Sequence, residues 1–123
     1  MDEFSEMDVW HGVMNGVARF LMDVDRVPPS QILRFASPAD APSEHREVFE
    51  LARNVLANRP RREKDWNQRG ARFFAEILTI GVLSRRRFNE EPLNEDQIFR
   101  FVGEEELFFN SWNHTHFPPP TWS

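Results

Sequence analysis

The chain has 123 residues, 40% of them hydrophobic, with twelve Phe, four Trp, no Cys and a formal net charge of −5 at pH 7. That length fits one domain able to bury a substantial core, and the aromatic content excludes a disordered chain. Without Cys, disulfides and thiolate metal sites are excluded, and the acidic balance argues against a generally basic nucleic-acid binder.

The charge is unevenly spread. Residues 1–50 hold four Arg and ten Asp/Glu, residues 51–90 hold ten Lys/Arg and four Asp/Glu, and residues 91–123 hold one Arg and six Asp/Glu. A basic segment therefore stands between two acidic arms. The acidic start lacks the basic region and apolar stretch of an export signal, and no run reaches the roughly 18 apolar residues of a membrane span. These features lead to the expectation of an intracellular protein, cytoplasmic or nuclear, with no membrane partner.

In chain order, Ser5 with Asp8 three residues on forms a capping-box pattern. Trp10, Val13, Met14, Val17, Leu21 and Val24 follow at helical spacing, predicting a helix over about 6–25. Gly12 and Gly16, one turn apart on it, suit a close approach of a second backbone. Ser30 caps a short expected helix over 31–36, ended by Ser37-Pro38. Asp40 is the expected N-cap of a third helix over about 41–58, with Pro42 in its first turn and Val48, Leu51, Ala52, Val55 and Leu56 as its stripe.

The basic segment predicts a long central helix over about 61–87. Its apolar face is Trp66, Gly70, Phe73, Ile77, Ile80 and Gly81, widened by Phe74, Leu78 and Val82, with Arg62, Arg69, Arg72 and Glu76 opposite. Its second half is apolar almost all round, as in a helix buried from several sides, and it ends in Arg85-Arg86-Arg87, suited to the negative end of the helix dipole. Asn94 with Gln97 caps a fifth helix ending at Gly103, and Glu104-Glu105-Glu106 opens a sixth through Trp112. Pro118-Pro119-Pro120 keeps the tail extended. The expected fold is all-α: a compact bundle of five or six helices around the central amphipathic helix, with residues 1–112 as one helical domain and 113–123 as a Pro-rich extended tail.

Chemistry-bearing motifs are sparse. There is no G-x-S-x-G, P-loop, G-x-G-x-x-G or H-E-x-x-H, so no catalytic residue is assigned. His114 and His116 have no third ligand at a zinc-like spacing, and His11 and His45 are read as surface or core-edge residues; no metal or cofactor is expected. Glu76 is the lone acid inside the central apolar run, with Arg72 four residues before it as its expected partner. The Arg clusters admit three readings. They attract phosphate, they meet an acidic protein partner, or they are offset within the chain by the acidic arms, the reading preferred here.

Over about nine residues, Trp66, Arg69, Phe73 and Phe74 resemble the central helix of Bcl-2-type bundles, which carry Asn-Trp-Gly-Arg and then an aromatic pair. Here Trp66-Asn67-Gln68-Arg69 stands out of register, and no Leu-x-x-x-Gly-Asp segment lies upstream, so the chain is not assigned to that family. The expected function is that of a small non-enzymatic regulatory or adaptor protein, acting through protein–protein interaction. Trp112, Phe117 and Trp122 are its expected apolar contact, and Arg61, Arg62, Arg85, Arg86 and Arg87 its charged rim. The expected partner is another protein, and self-association into a homo-oligomer is compatible with the same surface. The alternative is a nucleic-acid-associated protein using the Arg clusters that flank the central helix; a small helical enzyme or a Bcl-2-like regulator is a third reading.

Overall fold

The first helix, α1 (Glu6–Asp23), starts where Ser5 and Asp8 close a reciprocal capping box. The Ser5 N–H donates to Asp8 Oδ2 at 2.8 Å, and the Asp8 N–H donates to Ser5 Oγ at 3.4 Å. This computed structural model describes residues 4–58, 68–94 and 97–98. Two further α-helices follow, α2 (Ser43–Ala57) and α3 (Gln68–Arg87), with 3-10 turns at Pro29–Gln31 and Pro38–Asp40 between α1 and α2.

Side-chain pairs fix the topology. Asp8 meets Arg72, Arg19 meets Glu76 and Asp25 meets Arg87, so α1 and α3 run parallel. Arg53 meets Glu6, and Glu44 and Glu47 meet Arg86, so α2 runs antiparallel to both. The result is an up-down-up arrangement of three helices, and the all-α expectation holds for the described residues.

Among the described elements, the α1–α3 contact is the most extensive. It depends on two glycines. A Cβ on Gly12 would overlap the Arg72 carbonyl oxygen and sit 2.7 Å from Ala75 Cβ. A Cβ on Gly16 would sit 2.6 Å from both the Glu76 carbonyl oxygen and Thr79 Cβ. The backbones therefore approach as the glycine spacing implied. Thr79 fits this dry contact because its hydroxyl donates to the Ala75 carbonyl at 2.7 Å.

The core is shared by all three helices: Val9, Trp10, Val13, Met14 and Val17 from α1, Val48, Phe49, Ala52, Val55 and Leu56 from α2, and Ala71, Phe74, Ala75, Leu78 and Leu83 from α3. Trp10 is 1% exposed; its Nε1–H donates to the Phe35 carbonyl at 2.8 Å, and its ring meets Phe49 edge-on at 5.4 Å. Both polar and apolar parts of the indole are thereby satisfied.

The expected bundle of five or six helices is overturned, since the described residues contain three α-helices. The helix expected over 31–36 is absent. Pro29–Gln31 forms a 3-10 turn, and Ile32 is extended at φ −86° and ψ 122°. Trp10 takes the Phe35 carbonyl, and Arg34 donates to Asn15 Oδ1 at 2.6 Å, so tertiary bonds hold this segment straight. Asp40 does not cap α2; it lies in the Pro38–Asp40 turn, and Pro42 is the N-cap residue without a side-chain bond. Residues 61–67 of the expected central helix lie outside the described residues, as do 99–123, which include most of the expected fifth helix, the sixth helix and the tail. The start of the fifth keeps its signature: Gln97 N–H donates to Asn94 Oδ1 at 2.8 Å, and Asn94 N–H to Gln97 Oε1 at 3.0 Å.

The face of α3 is also rotated from expectation. Phe73 is 36% exposed whereas Phe74 is 1% exposed, and Arg72 and Glu76 border the α1 contact instead of lying opposite it. Glu76 pairs with Arg19 of α1 at 3.0 Å. Ile77, Thr79 and Ile80 are each fully buried, in line with a helix covered from several sides. α3 ends in a Schellman motif: Asn89 takes a left-handed φ of 57°, Glu90 N–H bonds the Arg85 carbonyl and Asn89 N–H bonds the Arg86 carbonyl.

Gly12→Ala should destabilise the fold by about 2 kcal/mol or more, outweighing the roughly 1 kcal/mol of helix propensity that alanine contributes. Gly16→Ala should act in the same direction, and chemical denaturation measures both. A second expectation concerns acid. The Ser5 N–H bond, followed by the Arg72 guanidinium, holds the Asp8 carboxyl below the usual carboxylate range against the opposing effect of burial. A carboxyl depressed in the folded state adds stability above its unfolded pKa of about 3.9, and loses it as pH falls through the lower folded value. Denaturant midpoints measured from neutral to acid pH should therefore fall below about pH 4, and Asp8→Asn should flatten that limb while lowering neutral stability by about 2 kcal/mol.

Candidate functional site

The C-terminal ends of α1 and α3 meet the N-terminal turn of α2 at one end of the bundle. There the three consecutive arginines closing α3 diverge. Arg86 reaches α2, with Nη1 3.4 Å from Glu44 and Nη2 3.3 Å from Glu47. Arg87 forms a two-pronged pair with Asp25, one prong at 2.7 Å, and lies over the Phe20 ring at 5.3 Å. Arg85 donates to the Glu91 carbonyl at 2.9 Å, clamping the chain after the helix. These cations also offset the carbonyl end of α3.

Between these pairs lies a cleft of about 230 Å³. Val17, Phe20, Leu21 and Leu83 form its apolar floor, and Asp25, Glu44, His45, Arg86 and Arg87 line its polar side. That volume is below the roughly 300 Å³ at which small-molecule pockets begin. His45, in the first turn of α2, is half-buried with its ring tilted against Phe35 at 6.1 Å. Its Nδ1 is buried and has no hydrogen-bond partner among the described residues. Burial lowers its pKa from the ordinary histidine value, with Glu44 acting weakly in the other direction.

The expected rim and apolar contact are placed only in part. Arg85, Arg86 and Arg87 sit at this end of the bundle, each with a partner inside the chain. Arg61, Arg62, Trp112, Phe117 and Trp122 lie outside the described residues. Pairing of the basic helix with acids of the first arm is directly visible in Asp8–Arg72, Glu44–Arg86, Glu47–Arg86 and Asp25–Arg87.

Two exposed apolar residues had no marker in the sequence. Leu33 is 72% exposed and Phe88 is 59% exposed. Leu33 precedes Arg34, whose side chain donates to Asn15, and Phe35, whose carbonyl accepts from Trp10; Phe88 stands at the bonded end of α3. No sequence period marks either one, because both stand outside regular helix. His45 likewise carried no motif, and only its seat beside the Arg86 and Arg87 cleft sets it apart from His11.

Among the described residues no cluster of three or more His, Cys, Asp or Glu is placed to hold a metal ion, and no helix is long and apolar enough to cross a membrane. Compared with known protein families, curated proteins and solved structures, the chain shows no match to any of them.

Because the Arg86 and Arg87 pairs are partly solvated, each should contribute only about 0–1 kcal/mol. Arg86→Gln and Arg87→Gln should each lower the denaturation midpoint slightly at low salt. In about 1 M NaCl, where the screening length is near 3 Å, the difference from the parent protein should shrink towards zero.

Proposed function

We propose that this protein is a small non-enzymatic regulatory or adaptor protein that binds another protein through apolar side chains presented on rigid, non-helical backbone. The observation that carries this reading is Leu33, 72% exposed on a segment tied to α1 by Trp10–Phe35 and Arg34–Asn15 bonds. A large apolar side chain left in water costs about 1.5–3 kcal/mol relative to burial, and a pre-ordered backbone reduces the entropy lost on binding. Phe88, projecting beside the Schellman end of α3, has the same character. Trp112, Phe117 and Trp122 belong to the same proposed contact on sequence grounds, with Arg61 and Arg62 among its charged residues.

The charge pattern supports a protein partner over nucleic acid. Asp25, Glu44 and Glu47 offset Arg86 and Arg87, which lowers the local positive field that phosphate would meet. The same pairs make the α3 terminus a poor place to test binding, since substitution there perturbs helix packing as well as charge.

Leu33 and Phe88 separate the two effects. The double variant Leu33→Ala/Phe88→Ala should melt within about 0.5 kcal/mol of the parent, as expected for exposed positions. In affinity purification from the native source read by mass spectrometry, it should lose a specific co-purifying protein. An unchanged set of co-purifying proteins would reject this contact. A mobility shift of labelled RNA or DNA that weakens steeply with salt would favour the nucleic-acid alternative instead.

A further inference from the structure

We propose that His45 is a proton-operated latch on the first turn of α2: neutral, it leaves the Arg86 ties to the C-terminal turn of α3 in place, and protonated, it loosens them. The hydrogen-bonding capacity of the ring differs between its two protonation states. A neutral imidazole carries one N–H and one bare lone pair, whereas an imidazolium carries two N–H donors. Nδ1 is buried without a partner, so the tautomer that fits is the one with its proton on Nε2. Protonation would place a charged donor at Nδ1 with no acceptor to receive it, and an unmet charged donor is costlier than an unmet lone pair.

The neighbouring charges work in both directions. Arg86 and Arg87 of α3 line the same cleft and repel a third cation. Asp25, just beyond α1, and Glu44, on α2 itself, would attract it. Those carboxylates are already engaged, however. Arg87 donates to both oxygens of Asp25, and Arg86 sits 3.4 Å from Glu44. A protonated His45 has two ways to relieve its position. It draws Glu44 away from Arg86, or it leaves the cleft for water.

Either route loosens the same joint. The Arg86 bonds to Glu44 and Glu47 tie α2 to the end of α3, and the His45 ring packs on Phe35 of the preceding segment. Release of the turn would uncover Val17, Phe20, Leu21 and Leu83 at the cleft floor. The sign follows from burial, which lowers the imidazole pKa: the latch adds stability above the ordinary histidine value and loses it as pH falls through the lower folded value. That window opens below about pH 6.5, whereas the Asp8 limb opens below about pH 4. The latch is a property of the isolated protein and does not depend on the proposed partner.

Hydrogen exchange of the full chain, read by mass spectrometry at about pH 7.5 and about pH 5.5, tests it across the ordinary histidine range. After correction for the chemical exchange rate, amides of residues 43–49 should exchange several-fold faster at the lower pH, relative to those of residues 74–80. His45→Phe, which keeps a ring against Phe35, should abolish this acceleration, and His11→Asn should retain it. No acceleration in the parent protein, or its persistence in His45→Phe, would overturn the latch. Should His45→Phe fail to fold, NMR titration of the parent protein decides the matter. The His45 ring signals and the amides of residues 43–47 should then shift with one shared midpoint, and clearly separate midpoints would overturn the proposal.

Discussion

The approach of α1 to α3 at Gly12 and Gly16 is the constraint on which the other features of this fold depend. With no side chain at either position, the Arg72 and Glu76 carbonyls, Ala75 and Thr79 lie where a Cβ would otherwise stand. That closeness brings Asp8 within reach of Arg72, and Arg19 within reach of Glu76, at the two ends of the crossing. It also sets the rotation of α3, turning Phe74 into the core and leaving Phe73 at the surface. Interiors of this density do not slide continuously, so one pair of glycines selects one register.

The charges follow from that register. Individually, partly exposed ion pairs stabilise little, yet their placement is consistent around the bundle. Acids of the first arm meet arginines of α3 from Asp8–Arg72 at one end to Asp25–Arg87 at the other. A parallel α1–α3 pair and an antiparallel α2 place opposite charges together. The charge reversal thus serves specificity of packing more than stability.

At the end of the bundle where α3 finishes, several requirements fall on a few residues. Arg86 and Arg87 satisfy acids on α2 and beyond α1, while Asn89 supplies the left-handed turn that a helix terminus often takes from glycine. His45 is placed among them with an unmet buried nitrogen. A joint held by several partly solvated polar contacts, over a small apolar floor, belongs to the less stable part of a structure. The Gly12–Gly16 crossing belongs to the more stable part, so local release at one end is compatible with an intact core.

Features that depend on neighbours within a few residues are the ones the sequence by itself determined. The Ser5–Asp8 capping box, the Asn94–Gln97 cap, the apolar stripe from Trp10 to Val17, the helical stripe of α2 and the need for small residues at positions 12 and 16 all follow from helical spacing and cap chemistry. The all-α class follows from the same periods. Tertiary structure alone decided which long-range partner each group took. Glu76 chose Arg19 on another helix over Arg72 on its own, and Trp10 held the Phe35 carbonyl, keeping residues 32–35 out of a helix. It also turned α3 towards Phe74, and it seated His45 beside Arg86 and Arg87. The physical reason is common to these cases: a helical period states that a face will be buried but leaves its angle open by tens of degrees when apolar residues nearly encircle the helix. Only the closest backbone contact, at two glycines, closes that freedom.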